Sequence, residues 1–276
     1  MCTLTGVSRA GFYRRGVRTR SASVELRDQV QRVALEWPTY GSRRITAELR
    51  RGGVTVNRKR VQRLMREDNL LCLRKRKFVT TTDSGHGLKV YPNLAAALVV
   101  SGINQLWRAD ITYIRLLEEF VYLAVVLDAF SRRVIGWALD ATLEAGLAVI
   151  ALEMAWERRR PAPGLVHHSD QGVQYASHEY VALLEAHDVR ISMSRRANPW
   201  DNATCESFMK TLKCEEVYRS EYRNLAEARA RIGDFLEETY NQKRLHSSLG
   251  YCPPAEFERL QSSRPMLVAA VTQEAR

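Results

Sequence analysis

The sequence predicts an α/β protein in which a mixed five-stranded sheet carries helices on both faces, preceded by a small all-α module. Two observations lead to this prediction. Residues 1–80 hold 20 Lys and Arg against 6 Asp and Glu, in short helical patterns joined by glycine turns. From residue 103 onward, three strand-like runs precede alternating helical and strand-like segments, an order typical of one sheet covered on both faces.

The charge of the chain points to a polyanionic partner. The 276 residues carry a net charge of +11, with a pI near 9.7. Because the basic excess lies in residues 1–80 and the remainder is close to neutral, nucleic acid is the expected partner. The apolar share of 45% is ordinary for a globular protein, and the length suits one sizeable core plus a smaller module.

Cysteine usage and hydropathy predict the compartment. The five cysteines include no CxxC pair and their number is odd, which favours a reducing compartment over a disulfide framework. No apolar run approaches the roughly 18 residues of a membrane span, and the N-terminus lacks the apolar core of a signal peptide. We therefore expect a cytoplasmic protein with access to DNA.

The basic module, predicted over residues 1–73, reads as a series of short helices. Ser8 is placed to cap the first, and a second pattern runs from Val24 to Ala34. The third helix opens at Gly41-Ser42 and stops at Gly52-Gly53, and Asn57 is placed to cap the last. Short helices joined by glycine turns match a helix-turn-helix outline.

The last helix of this module has one apolar and one basic face. Val61, Leu64 and Met65 recur at helical spacing and predict the face that packs on the module. The opposite face is crowded with cations, which predicts contacts with DNA phosphates. The candidate DNA-binding residues of this helix are Arg58, Lys59, Arg60 and Arg63.

The rest of the chain is predicted as a linker, a sheet-bearing body and a tail. Residues 74–102 begin with four consecutive Arg and Lys residues and continue through Thr, Ser, Gly and Pro, a linker composition. The body spans residues 103–260, and residues 261–276 form a loose tail. The predicted strands cover residues 106–116, 120–127, 132–139, 165–168 and 189–193. The predicted helices cover residues 143–159, 178–187, 202–217 and 225–241.

Three carboxylates stand where structural needs alone would not place them. Asp110 interrupts an apolar strand, where an isolated charge would cost several kcal/mol unless it is paired or bound to a metal. Asp170 follows a short buried strand and precedes Gly172, at the strand end where α/β sheets present functional groups. Glu206 lies on the helix that starts near Asn202. The two intervals between these carboxylates hold 59 and 35 residues.

The helix that carries Glu206 separates charge from apolar surface. Glu206, Lys210 and Lys213 fall within roughly 60° of one another on a helical wheel. Cys205, Phe208 and Leu212 fall on the far side. We therefore expect the apolar stripe to pack on the sheet while a metal ligand and two phosphate-binding cations point elsewhere.

Carboxylates gathered in this way are suited to magnesium. Mg²⁺ prefers oxygen ligands and usually keeps waters and substrate phosphate oxygens in its shell. Two such ions can activate the attacking oxygen and stabilise the leaving one in phosphodiester chemistry. The sequence therefore predicts a site for two Mg²⁺ ions, with Mn²⁺ able to substitute at oxygen-rich ligands.

With these residues the chain resembles the catalytic OrfB subunit of two-frame bacterial insertion sequences, whose core is a DDE integrase domain of the ribonuclease H-like fold. The resemblance runs from about residue 20 to 260. The ordered set of motifs with the 35-residue interval is highly specific. The matching stretches are Trp107–Ile114, Val126–Arg133, His168–Gly172, Asn198–Lys213 and Tyr240–Tyr251.

The resemblance implies a transposase that cuts one DNA strand at the element end and joins the freed 3′-hydroxyl to a second phosphodiester. The resemblance implies that Asp110, Asp170 and Glu206 are the catalytic and metal-binding triad. It also implies that Lys213 is a cation facing the DNA end. It also implies double-stranded DNA as element end and target, and a homo-oligomer on DNA. A further partner would be an OrfA-type subunit from an upstream reading frame, separate or fused, acting in the bacterial nucleoid.

Several residues keep two interpretations. Asp128 is predicted to be structural, capping a turn or pairing with Arg132 or Arg133. His167 and His168 are expected in the core or behind the ligands rather than on the metal. Asn202, or its neighbour Asp201, is the expected helix cap. Trp107 is expected in the core rather than stacked on a base. Arg244 and His246 suit either DNA contact or packing, and Arg244 is kept as a DNA-binding candidate.

Other functions fit the sequence less well. A retroviral integrase proper would carry a zinc module, but residues 1–80 contain no His. A ribonuclease H shares the fold but neither the 35-residue interval nor the basic module. A zinc hydrolase would need an HExxH motif, which is absent. The alternative from a different class is a DNA-binding regulator, an inactive remnant that keeps the fold without catalysis.

Overall fold

The computed structural model describes residues 18–70, 88–195 and 198–263. The chain divides into two compact units, Met1–Arg76 and Lys77–Arg276. The predicted helix after Ser8, the first half of the predicted linker and most of the predicted tail lie outside the described residues. The domain boundaries predicted at residues 73, 102 and 260 therefore stay predictions. In the described ranges, no helix has the length and hydropathy to cross a membrane.

Within residues 18–70, the first unit contains three helices, α1 (Arg18–Glu36), α2 (Ser42–Arg51) and α3 (Arg58–Glu67). Asn57 caps α3 as predicted, since its side chain accepts a hydrogen bond from the backbone N–H of Lys59 at 2.8 Å. The apolar stripes of the three helices meet in one small core. Its buried members include Val30, Tyr40, Ile45, Leu49, Val61 and Leu64.

The second unit is built on a five-stranded sheet in the order β3-β2-β1-β4-β5. The strands β1, β2 and β3 form an antiparallel meander, and β1, β4 and β5 run parallel. This mixed sheet is the predicted one. Its strands are β1 (Leu106–Arg115), β2 (Phe120–Asp128), β3 (Val134–Asp140), β4 (Val166–Ser169) and β5 (Arg190–Met193).

Helices cover both faces of the sheet, as predicted. On one face α4 and α5 pack against alternate residues of β1 and β2, among them Trp107, Ala109 and Val126. On the other face the following helices pack against the intervening residues, such as Val125 and Leu127. The α-helices in the described part of this unit are α4 (Ala145–Arg159), α5 (His178–Ala186), α6 (Ala203–Glu215), α7 (Leu225–Asp234) and α8 (Pro254–Ser262).

The last long helix differs from the prediction. The pattern over residues 225–241 predicts one α-helix, but α7 ends at Asp234 and the chain continues as a π-helix, Phe235–Lys243. In this segment the side chain of Asn241 exchanges two hydrogen bonds with the backbone of Val134, at 2.9 and 3.0 Å. The amide thereby satisfies the N–H and the carbonyl oxygen of Val134 on the edge strand β3. Helical periodicity does not predict such a long-range pairing.

Gly136 marks the closest approach between β3 and α4. A Cβ at this position would lie 2.0 Å from the carbonyl oxygen of Ala151 and 2.8 Å from the amide nitrogen of Ala155. Both neighbours are backbone, so they cannot move aside as a flexible side chain would. We expect Gly136→Ala to cost at least about 1–3 kcal/mol of unfolding free energy, the usual range for overpacking.

Urea unfolding monitored by circular dichroism measures this effect. Gly146→Ala is the matched control, because a Cβ there meets nothing within 4 Å. An unchanged unfolding midpoint for Gly136→Ala would show that β3 and α4 are not so tightly packed.

Candidate active site

Two strands deliver Asp110 and Asp170 to the same level of the sheet. The parallel register of β1 and β4 pairs Arg108 with His168. Asp110 and Asp170 each lie two residues further along, at the carboxyl end of β4. Because parallel strands advance together, the two carboxylates lie at the same level of the sheet, where β4 ends.

The helix α6 carries Glu206 on its exposed face, and its apolar face is buried, as the sequence predicts. Cys205, Phe208 and Leu212 are buried against the sheet. Glu206 and Lys210 are exposed, and Lys213 is half-buried. The amphipathic pattern of this helix thus separates its charged face from its packing face.

Three hydrogen bonds attach the start of α6 to β1 and to the turn after β2. The side-chain amide of Asn202, just before α6, donates to the carbonyl oxygen of Ala109 at 3.2 Å. Arg108 donates to the carbonyl oxygen of Asp201. From the turn after β2, Arg132 donates to the hydroxyl of Thr204 at 2.7 Å. The start of α6 is therefore tied to residues immediately preceding Asp110.

The predicted side-chain cap of α6 is wrong, because neither Asn202 nor Asp201 makes a capping hydrogen bond. Asn202 occupies the N-cap position, but its side chain makes no capping hydrogen bond and reaches back to β1 instead. The carboxylate of Asp201 does not cap the helix either, because it accepts three hydrogen bonds from Arg195 at 2.9 to 3.0 Å. Both side chains bond to other partners, Ala109 and Arg195, and not to the backbone N–H groups of the helix.

Among the three candidate carboxylates, Asp110 has a pKa far above its ordinary value. Burial, followed by the negative charge of Asp170, raises its pKa to about 8, and the charge of Glu206 adds to this. The backbone N–H of Ile111 and the ammonium of Lys213 act in the opposite direction. The three carboxylates therefore interact through their charges, with one cation among them.

Lys213 lies at the edge of this cluster. Its ammonium is 4.8 Å from the centre of the Tyr113 ring. Burial lowers the pKa of Lys213, while the nearby charge of Asp110 raises it. The side chain is thus held between an aromatic face on β1 and the carboxylate of Asp110.

The donor set fits a hard divalent cation, although it does not form a closed ligand shell. In the described residues, no three His, Cys, Asp or Glu side chains converge tightly enough to hold an ion by themselves. The groups present are carboxylate oxygens, the ligands that Mg²⁺ prefers, and Mg²⁺ commonly takes the remainder of its shell from water and substrate. A cation would also relieve the repulsion that raises the pKa of Asp110.

The two histidines beside Asp170 are structural. Burial lowers the pKa of His168 to about 4 and that of His167 to about 3, so both are neutral. The ring nitrogens of His168 lie 2.8 Å from the Ser192 hydroxyl and 3.0 Å from the Ser194 hydroxyl. His167 bonds the Tyr180 hydroxyl at 2.9 Å. They tie β4 to its surroundings, as expected for core residues behind the site.

Asp128 and Trp107 also take their predicted structural roles. Asp128 caps the turn after β2, since its carboxylate accepts from the backbone N–H groups of Phe130 and Ser131 at 3.0 and 2.8 Å. Trp107 is fully buried, and its indole N–H donates to Asn104 at 3.1 Å.

Arg244 is not available to DNA in this structure. Its side chain is 4% exposed and donates two hydrogen bonds to the carboxylate of Glu215, at 2.7 and 2.8 Å. His246 is buried as well and packs edge-on against Tyr240. Of the two interpretations that the sequence left open, the structure shows packing for both residues.

The candidate DNA-binding residues of the first unit remain accessible. Arg58, Lys59, Arg60 and Arg63 are exposed on α3. Arg63 lies 3.6 Å from Glu67, one turn along the same helix. Their role in DNA binding stays a prediction.

Sequence reasoning missed the residues that hold α6 against β1. Arg108 carried a usable signal, because it shares the strand face of Asp110 and places a second charge in an apolar strand. Arg132 has a positive φ of 63° in the turn after β2. Its partner Thr204 lies 72 residues away, and no local pattern predicts such a contact.

The fold and the site define an integrase-core protein with an HTH-like domain. The family model described as "Integrase core domain" matches residues 101–199, and a second with the same description matches residues 187–254. The model described as "HTH-like domain" matches residues 22–78. These matches and the observed sheet confirm the predicted ribonuclease H-like fold with its preceding helical module.

The relatives identify the family within this class. "Transposase InsF for insertion sequence IS3A" of Escherichia coli (strain K12) is 39% identical over 267 residues, covering 94% of this chain and 92% of that protein. An "Insertion element IS600 uncharacterized 31 kDa protein" of Shigella sonnei is 38% identical over 264 residues, covering 93% of this chain and 97% of that protein. The chain belongs to the InsF transposases of IS3-type insertion sequences, which confirms the predicted function.

Among solved structures, the chain is similar to a simian T-cell lymphotropic virus intasome in complex with PP2A regulatory subunit B56 gamma. The TM-score is 0.49 at 18% sequence identity, covering 84% of this chain and 74% of that chain.

Proposed function

We propose that this transposase cleaves and joins DNA strands at insertion-sequence ends with divalent cations held by Asp110, Asp170 and Glu206. The observation that carries the proposal is the environment of Asp110, a carboxylate among protein atoms whose pKa rises to about 8 beside two further carboxylates. A fold does not retain such a charge cluster for its own stability. A bound cation would offset the repulsion between these carboxylates and make the cluster a metal-binding site.

The cation proposed is Mg²⁺, as two ions, with Mn²⁺ as a substitute. When bound, two such ions would polarise the scissile phosphate and assist both the attacking and the leaving oxygen. The reaction first hydrolyses one phosphodiester and frees a 3′-hydroxyl. That hydroxyl then attacks a second phosphodiester, so that one P–O bond forms as another breaks.

The chain's own residues position and neutralise the DNA. Lys213, held between Tyr113 and Asp110, and the exposed Lys210 present two cations on the helix of Glu206. We propose that they hold phosphates of the element end beside the carboxylates. Arg108, through its bond to Asp201, keeps this helix in register with β1.

The first unit is proposed to bind double-stranded DNA through α3. Its exposed cations Arg58, Lys59, Arg60 and Arg63 would contact phosphates, and such contacts make binding fall steeply with salt. Since an element has two ends, two active sites and hence at least two copies of the chain are proposed to act together. An OrfA-type subunit and association with the nucleoid are proposed on the family resemblance alone.

The test is a cleavage and strand-transfer assay with labelled duplex that carries the element end. The full chain is assayed with Mg²⁺, both alone and together with the upstream-frame protein. Products that disappear in Asp110→Asn, Asp170→Asn and Glu206→Gln would support the proposal. Specific DNA binding without metal-dependent cleavage, and without any effect of the three substitutions, would favour a DNA-binding regulator instead.

The contact between Asn202 and Ala109 predicts a separate effect on rate. Loss of this hydrogen bond frees the start of α6 and misplaces Glu206, and a misplacement of about 1 Å can cost about 100-fold in rate. We expect Asn202→Ala to lower the rate constant for strand cleavage by about this factor, with a smaller change in DNA affinity.

The matched control is Asn224→Ala, which removes the cap of α7, where the Asn224 side chain accepts from the Glu227 N–H at 2.9 Å. A lost cap costs about 1 kcal/mol of stability. If both variants lost similar stability and similar cleavage rate, the positioning role of Asn202 would be refuted.

A further inference from the structure

One exposed aromatic side chain, on the turn that leads into the helix of Glu206, is unexplained by packing. Trp200 is 84% exposed. Tryptophan is usually well buried, because its large apolar surface is costly to leave in water. The other four tryptophans of the chain follow this rule and are buried or half-buried: Trp37, Trp107, Trp137 and Trp156.

The turn that carries Trp200 is held in place on both sides. The backbone N–H of Trp200 donates to the side chain of Asn198 at 3.2 Å. The N–H of Asp201 donates to the Asn198 carbonyl oxygen at 3.2 Å, closing a 3-10 turn over Pro199–Asn202. Arg195 clamps the carboxylate of Asp201. The indole therefore projects from an ordered turn with several polar anchors.

The same turn is attached to the strand of Asp110. Arg108 bonds the carbonyl oxygen of Asp201, and Asn202 bonds that of Ala109. The two residues that follow Trp200 are thus each bonded to a residue just before Asp110. Glu206 lies six residues after Trp200. An exposed apolar ring is consequently fixed next to the site at which DNA strands are proposed to be cut.

We propose that Trp200 is a platform on which an unpaired nucleobase of the element end stacks, next to the scissile phosphate. The inference rests on the proposed strand-cleaving function and names the chemistry of one of its contacts. An indole face suits any base, because every base offers a π-face, and such stacking needs no sequence-specific hydrogen bonds. Stacking would bury the ring that the free protein leaves in water and hold the separated strand near the carboxylates.

The test is DNA affinity in EDTA, so that neither metal nor cleavage enters. The probe is an element-end duplex with three unpaired nucleotides on one strand, and a second set carries a single abasic site at each of these positions. Base–aromatic stacking is worth about 1–3 kcal/mol, so Trp200→Ala should raise Kd for the intact probe by about 10- to 100-fold. Trp200→Phe, which keeps a ring, should restore most of the affinity.

The abasic probes separate stacking from other effects. At the stacked position, wild type and Trp200→Ala should bind the abasic probe with the same affinity. The matched control is Leu117→Ala, which truncates another exposed apolar side chain (56% exposed) outside the turn and should leave Kd unchanged. Circular dichroism and thermal unfolding should be unaltered in Trp200→Ala, because the side chain makes little contact with the fold.

Two results would overturn the inference. One is an unchanged Kd for Trp200→Ala on the intact probe. The other is an equal loss on the intact probe and on every abasic probe, which would assign the ring to backbone contact. Neither result depends on cleavage, so failure of the proposed metal-dependent function would show in the Mg²⁺ assay and not here.

Discussion

Asp110→Asn is expected to abolish strand cleavage and, at the same time, to stabilise the metal-free protein. The substitution keeps the size of the side chain but removes the charge that burial and Asp170 disfavour. Because metal activation of a phosphodiester is worth several kcal/mol, the loss of rate should reach about a thousandfold or more. The metal-free protein should gain about 1–3 kcal/mol of unfolding free energy at pH 7, since one pKa unit corresponds to about 1.4 kcal/mol.

The stability of the metal-free protein should depend on pH through the ionisation of Asp110. The pKa of Asp110 is raised in the folded state, so the folded protein holds a proton that the unfolded chain releases. Stability of the metal-free protein should therefore fall as pH rises from the ordinary value of 3.8 to about 8. Asp110→Asn should flatten this decline, as measured by thermal unfolding in EDTA across that range.

Mg²⁺ provides the complementary measurement. A cation that binds only the folded protein raises its stability according to its concentration and affinity. We expect Mg²⁺ to raise the Tm of wild type and to have little effect on the Tm of Asp110→Asn. Asp140→Asn is the control, because Asp140 lies on the edge strand β3 and strand β2 separates it from Asp110 on β1. An equal Mg²⁺ response in wild type and Asp110→Asn would place the cation elsewhere.

The second large effect is expected at Glu258, a buried carboxylate on the C-terminal helix α8. Its oxygens accept from the Ser131 hydroxyl at 2.6 Å, from Arg133 at 2.7 Å and from Arg159 at 2.6 Å. These bonds join α8 to the turn after β2 and to the end of α4. Removing one partner of a buried ion pair typically costs about 3–5 kcal/mol, because the remaining charges keep their burial without compensation. We expect a loss of this size for Glu258→Ala.

Urea unfolding at pH 7 measures this loss. Glu238→Ala is the matched control, since Glu238 is exposed on the π-helix and should change the unfolding free energy by less than about 0.5 kcal/mol. Equal unfolding free energies for wild type and Glu258→Ala would contradict the assigned role.

Acid should remove part of the stability that the ionised carboxylate of Glu258 contributes. Burial by itself raises the pKa of Glu258, but the bonds and charges of Arg159, with Ser131 and Arg133, outweigh burial and lower it. A carboxylate with a lowered pKa stabilises the fold above its unfolded value and loses that contribution as pH falls through the folded value. The stability difference between wild type and Glu258→Gln should therefore shrink in acid, below the ordinary pKa of 4.5.

The sequence by itself determined the architecture and the identity of the candidate site residues. Strand alternation and helical periodicity are local, so they fixed the order of the strands along the chain and the two faces of α6. A carboxylate in the middle of an apolar strand is costly unless it has a function, and this cost singled out Asp110. The parallel register of β1 and β4 then brought Asp110 and Asp170 to the same level of the sheet.

Only the tertiary structure decided the partners of the polar side chains. Arg244 and Asn202 suited DNA contact and helix capping by residue type, yet Arg244 is bonded to Glu215 and Asn202 to the backbone of β1. The π-helix likewise arises where Asn241 meets Val134, 107 residues away. A buried polar group must find a partner wherever the fold brings one within about 3 Å, and that choice depends on packing rather than on neighbours in the sequence.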